Sequence, residues 1–206
     1  MTFDLVSALT TLIVILDPPG LAPSFIALTA DMSRVERRAV AFRASVNAVV
    51  ILALAALFGE WLLARLGIGL QAFRIAGGLL LFATAYEMVF ERRDERKAAT
   101  AEVARSADRI RRVAAFPLAV PLMAGPGAIT ATILLAGRAT HPAGLALLVG
   151  MIVVAVAVCL AVFLLADQVE RLLGITGRIV LARLLGVLLA ALAIQFVVDG
   201  VQALVL

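Results

Sequence analysis

Six apolar runs follow one another along this chain, each near or above the ~20 residues that a helix needs to cross a bilayer. They cover about Phe3 to Ala30, Ala39 to Leu63, Ile68 to Phe90, Val113 to Ala136, Ala143 to Ala166 and Ile179 to Leu206. Hydrocarbon offers no water to backbone N–H and C=O groups, so runs of this length fold as helices that pair these groups internally. The expected fold is an all-α membrane protein with six transmembrane helices in a single domain, residues 1–206. Composition agrees, because 64% of the 206 residues are hydrophobic and only 16% are charged. Mean hydropathy is +1.10, beyond what a soluble domain needs to fill one core. The opening "MTFDLVSAL" carries Asp4 and no basic residue ahead of its apolar run, so no cleaved signal peptide is expected.

A pI near 10.5 raises the question of nucleic acid, but the basic residues sit in short connections between apolar runs, where they set orientation instead. Arg34, Arg37 and Arg38 follow the first run, eight basic residues lie between Arg92 and Arg112, and Arg171 and Arg178 follow the fifth. Only Arg65 and Arg138 occupy connections on the other side. The bias predicts a plasma-membrane protein, the inner membrane of a bacterium, with those three loops cytoplasmic and both termini periplasmic. The segment Glu91 to Arg112 reads as a solvated cytoplasmic linker between two halves, residues 1–90 and 113–206.

The first run is interrupted. In "LIVILDPPGLAPSFIAL", Pro18 and Pro19 donate no backbone hydrogen and crowd the carbonyls of Val14 and Ile15, and Gly20 accepts conformations closed to other residues. The helix must break there, near the bilayer midplane. The fourth run repeats the device at Gly125, Pro126 and Gly127, with Pro117 and Pro121 upstream. Pro19-Gly20 and Pro126-Gly127 are 107 positions apart, as are Gly67 and Gly174; Arg74 and Gly77 meet Arg183 and Gly186 after a slip of two. Two copies of a three-span unit account for this. An odd number of spans turns the second copy upside down, giving two inverted three-helix repeats with broken helices 1 and 4, an arrangement common among secondary transporters.

Each break opens the N-terminus of a half-helix, whose free N–H groups and dipole favour an anion. Asp17, costly at the centre of a lipid-facing helix, should face inward. Such a pocket complements a small zwitterion: helix ends hold its carboxylate and Asp17 its ammonium. The candidate substrate-binding residues are Asp17, Gly20, Ser24, Gly125, Gly127, Thr130 and Thr132, with Pro18, Pro19 and Pro126 making the breaks. Asp17 could instead carry a coupling proton.

"DPPGLAPSFIALT", "FRIAGGLLLF" and "PLAVPLMAGPGAIT" together resemble the signature stretches of the MarC family of bacterial and archaeal inner-membrane proteins, also called a neutral amino acid transporter family. The likeness covers essentially the whole chain. It implies a six-span inner-membrane protein related to the LysE group of exporters, with small neutral amino acids such as glycine and alanine as substrates. By motif, Asp17, Pro19, Gly20 and Pro23 fall in the first signature, Arg74, Gly77 and Gly78 in the second, and Gly125, Pro126, Gly127 and Thr130 in the third. Many members carry Asn at the position of Asp17, so a fixed charge is not required across the family, and this weakens a proton-carrier role there more than a hydrogen-bonding one.

Two ion pairs between repeats are expected, Arg74 with Asp199 and Arg183 with Glu87, against the plainer alternative that these arginines snorkel to the nearer interface. Gly77 and Gly78 provide a small face for close helix packing. Catalytic parts are sparse: the single His141 sits in a short loop and the single Cys159 inside an apolar run, so neither an enzyme nor a metal site nor a cofactor is expected. The function these features predict is alternating-access transport of small neutral amino acids or similar zwitterions, driven by H+, Na+ or the substrate gradient. The rivals are a channel or membrane scaffold without coupled transport, and a membrane-embedded lipid-modifying enzyme. The expected partners are the lipid bilayer and a small-molecule substrate, with no nucleic acid and with a homo-oligomer left open.

Overall fold

The computed structural model describes residues 5–90, 113–139 and 141–205, and the elements in these stretches are helical. The linker expected over 91–112 lies outside the described residues. Eight elements follow in order: α1 (Leu5–Leu16), α2 (Pro18–Leu28), α3 (Arg34–Arg65), α4 (Leu70–Val89), a π-helical segment α5 (Ala114–Met123), α6 (Pro126–Ala136), α7 (Pro142–Leu164) and α8 (Ala166–Val205).

Among the described residues, five stretches are long and apolar enough to cross a membrane: Leu5–Leu28, Arg34–Arg65, Leu70–Val89, Pro142–Leu164 and Ile179–Leu204. The sixth expected span, Val113 to Ala136, is divided between α5 and α6, and α6 with 11 residues is about half the length a crossing needs. The prolines explain the division. A proline inside an α-helix lacks the N–H for its bond, and α5 is π-helical instead, closing with the bond from the Ala124 N–H to the Ala119 carbonyl at 2.8 Å. Gly125, extended at φ −78 and ψ 172, then starts α6 with Pro126 at its first position.

The first break follows the expected chemistry. Asp17 adopts the left-handed conformation, φ 49 and ψ 62, and is the sole non-glycine residue with positive φ among those described. The prolines take the opening positions of α2, where a missing N–H leaves no gap. Two glycines share the positive φ: Gly67 (φ 70), in the turn before α4, and Gly174 (φ 58), which bends α8 ahead of its crossing portion. These are the two positions that the sequence pairs at a spacing of 107.

α3 begins on a capping box, with the Ser33 N–H donating to Glu36 Oε2 at 2.8 Å and the Glu36 N–H to Ser33 Oγ at 3.3 Å. Its buried face (Val40, Ala41, Ala44, Ser45, Ala48, Leu52, Ala56, Gly59, Leu63) recurs at three- and four-residue steps and is mostly small. Small faces let helices approach closely, the main source of association in lipid.

α4 and α8 share the most extensive contact and run antiparallel. A Cβ on Gly78 would lie 2.7 Å from the Ala193 carbonyl oxygen and 2.7 Å from Val197 Cγ2. One on Gly186 would meet Val89 at 2.9 Å and Met88 at 3.0 Å, and one on Gly200 would meet Ile75 at 2.7 Å and the Gln71 carbonyl at 3.0 Å. Three glycines, at three levels, thus hold two helices nearly backbone to backbone. α6 lies on α4 in the same manner, where Gly77 abuts Thr130 and Gly137 abuts Leu70. Further packing joins α1 to α6, α7 and α8, α2 to α5, α7 and α8, α3 to α5, α6 and α7, and α7 to α6 and α8.

Candidate functional site

Asp17 is 2% exposed. Its Oδ1 accepts the Gly20 N–H at 3.2 Å, so the carboxylate caps the half-helix that its own backbone opens. The chain stays bonded on both sides of the break: the Asp17 N–H donates to the Ile13 carbonyl at 3.0 Å, and the Leu21 N–H to the Asp17 carbonyl at 3.2 Å. A Cβ at position 20 would collide with the Asp17 carboxylate, which is the local requirement for glycine there. Gly20→Ala is therefore expected to displace the cap and lower the melting temperature by several degrees, from a cap worth ~1 kcal/mol. A melting curve that overlays the parent would show the cap to be dispensable.

The second break is built differently. No side chain caps α6, and its first turn is pressed onto α4, with a Cβ on Gly127 lying 2.9 Å from Leu81 Cδ2 and 3.8 Å from Thr84 Oγ1. One α-helix start is thus already supplied with a carboxylate, and the other has no side-chain acceptor.

The hydroxyls divide in the same way. Ser24 (7% exposed), Thr130 (3%) and Thr132 (fully buried) all lie inside the bundle. Thr130 packs its methyl against Gly77, whereas Thr132, two residues on and so on another side of α6, has an Oγ1 with no hydrogen-bond partner. Ser45 Oγ on α3 is likewise buried without one. In apolar surroundings such orphaned hydroxyls are costly, and at a site they are the groups a polar ligand would satisfy.

Charged groups depart from the expected pairs in one case. Asp199 takes Arg138 at 3.7 Å and accepts from Gln195 Nε2 at 2.6 Å, while Arg74 Nε is buried without a partner. Arg74 lies at the right level, since Gly200 abuts Gln71 and Ile75, but Arg138 reaches Asp199 from the turn after α6 and lies over the Phe196 ring at 6.0 Å. Arg183 and Glu87 also lie at matching levels, because Gly186 abuts Met88 and Val89.

Three further groups stand out in the structure that carry no signal of a role in the sequence. Cys159 on α7 is fully buried. Phe25 on α2 stacks on Phe163 of α7, centroids 4.8 Å apart and planes at 20°. Phenylalanines in apolar runs look alike along the chain, and a cysteine there reads as filler.

Helices of crossing length, a buried acid at a broken first crossing and a second break just before α6 define a multi-pass integral membrane protein with buried polar groups. The chain belongs to the MarC family: the model for MarC family integral membrane proteins matches residues 3–205. It is 37% identical over 199 residues to the UPF0056 membrane protein MJ1677 of Methanocaldococcus jannaschii, covering 97% of this chain and 96% of that one. A UPF0056 membrane protein of Aquifex aeolicus is 36% identical (97% and 92% covered), and UPF0056 membrane protein YhcE of Escherichia coli is 34% identical (94% and 89%). These names state a membrane location and no activity. No solved structure matches the chain.

Proposed function

We propose that this protein is a secondary transporter of small zwitterions, glycine and alanine among them, working by alternating access about the two breaks. The observation that carries this reading is the crosswise packing of the broken elements. α1 packs on α6 and α2 on α5, so the first half of each broken run lies against the second half of the other, a packing that supports breaks meeting at one crossing. Asp17 there offers a charge to an ammonium, and the uncapped start of α6, with Thr132 Oγ1, offers donors to a carboxylate.

Inverted repeats are supported by the same contacts. Exchanging α1 for α5, α2 for α6, α3 for α7 and α4 for α8 turns the major pairings into one another: α1 on α7 becomes α5 on α3, and α2 on α8 becomes α6 on α4. The shared positive φ of Gly67 and Gly174 supports it further. In this reading α5 and α6 together make the sixth crossing, the Arg34 end of α3 faces the cytoplasm, both termini are periplasmic and the membrane is the bacterial inner membrane. Arg183 and Glu87 then tie the repeats together at the cytoplasmic end.

Counterflow tests the function. Proteoliposomes preloaded with unlabelled glycine or alanine are expected to accumulate the labelled amino acid transiently, several-fold above liposomes without protein, and repeating the assay across pH and with or without Na+ identifies the coupling ion. Equal uptake by both kinds of liposome, over a panel of small neutral amino acids, would leave a scaffold as the better description.

A further inference from the structure

We propose that the Arg37–Asp167 ion pair and the Phe25–Phe163 stack beneath it form the cytoplasmic gate of the path to Asp17, an assignment that rests on the transporter reading above. The two Arg37 guanidinium nitrogens donate to the two Asp167 carboxylate oxygens at 3.3 and 3.2 Å, and the same guanidinium lies 5.6 Å over the Phe25 ring. Outside this layer is a cleft of about 160 Å³ lined by Arg34, Arg37, Arg38, Asp167 and Gln168, and the two phenylalanines form its floor. Its polar walls suit a watery vestibule.

The rings are 1% and 2% exposed, so the vestibule ends at them. Behind Phe163, one turn along α7, Cys159 is sealed from solvent. Along α2, Phe25 lies eight residues from Asp17, about 12 Å at 1.5 Å per residue. The stack therefore stands between the vestibule and the break.

Both layers also cross from one half of the chain to the other. Phe25 and Arg37 belong to α2 and α3, Phe163 and Asp167 to α7 and α8. Any rocking of one half against the other must part both contacts together. The ion pair suits such a role, because Arg37 is 23% and Asp167 59% exposed, and water screens a pair so placed enough that it opens at little cost.

Cys159, the chain's single thiol, reports the state of the gate without any assumption about substrate. The experiment is the labelling rate with a membrane-impermeant maleimide, in inside-out and right-side-out vesicles. Wild type is expected to label slowly from both sides. Arg37→Asp, Asp167→Arg and Phe163→Ala should each raise the rate at least about tenfold in inside-out vesicles only, and the swap of Arg37→Asp with Asp167→Arg should restore slow labelling. Unchanged rates in variants that elute as folded protein, a swap no slower than its single changes, or an increase from the periplasmic side would each overturn the assignment. Since labelling needs no transport, absent counterflow with side-specific labelling sinks the transporter reading alone, and counterflow with unaltered labelling sinks the gate alone.

Discussion

Asp17→Asn is expected to fold with a melting temperature close to the parent's and to reduce counterflow at least about tenfold. The two effects separate because the residue has two roles. Asn tolerates the left-handed conformation at φ 49, and its carbonyl oxygen accepts the Gly20 N–H as the carboxylate does, so break and cap survive. The lost charge removes a charge-assisted bond to the substrate ammonium, worth ~1.5–3 kcal/mol. Asp17→Ala loses the cap and places an ordinary residue at positive φ as well. The combined cost is ~2–3 kcal/mol, read as a melting temperature several degrees lower. Full counterflow in Asp17→Asn would show that position 17 works by hydrogen bonding alone and carries neither ammonium nor coupling proton.

Gly78→Ala should be among the most destabilising single methyl additions in the chain. The new Cβ would meet the Ala193 carbonyl oxygen and Val197, the first a backbone atom that moves only if α8 moves. Overpacking of this kind costs ~1–3 kcal/mol, and a thermal melt in detergent should register it as a fall of several degrees. Gly150→Ala is the control, with no atom within 4 Å of its Cβ, and should be neutral or slightly stabilising from helix propensity. Similar melting points for the two variants would mean that the α4–α8 contact is looser than its geometry.

Much of this was legible in the sequence because it follows from what single residues cannot do. Pro18 and Pro19 cannot donate, so the break after Leu16 could be read directly. Gly67 and Gly174 stood out by their spacing, and their backbones share the same sign of φ. The break at Gly125 was equally plain, but the π-helical form of α5 was not: Pro117 and Pro121 announce trouble for an α-helix without saying whether it kinks or widens. The cap at Gly20 was hidden because an acid beside a half-helix can face away from its own helix or toward it, and only the backbone angles of Asp17 decide. The pairing of Asp199 depended on competition. Arg74 and Arg138 both come to that end of the molecule, and nothing in the one-dimensional order ranks them. The aromatic stack between α2 and α7 lay among ten phenylalanines with no feature to single out two.

The glycine contacts of α4 and α8 bear on how such a chain can change length. One residue inserted into α4 between Gly78 and Ala85 would rotate everything beyond it by about 100°, turning Ala85, Met88 and Val89 away from Gly186 while Gly78 stayed on Ala193. Only a local π-bulge, which takes up the extra residue without turning the helix beyond it, keeps both ends of such a seam in place. Insertions and deletions are therefore expected in the connections rather than in the interiors of these two helices.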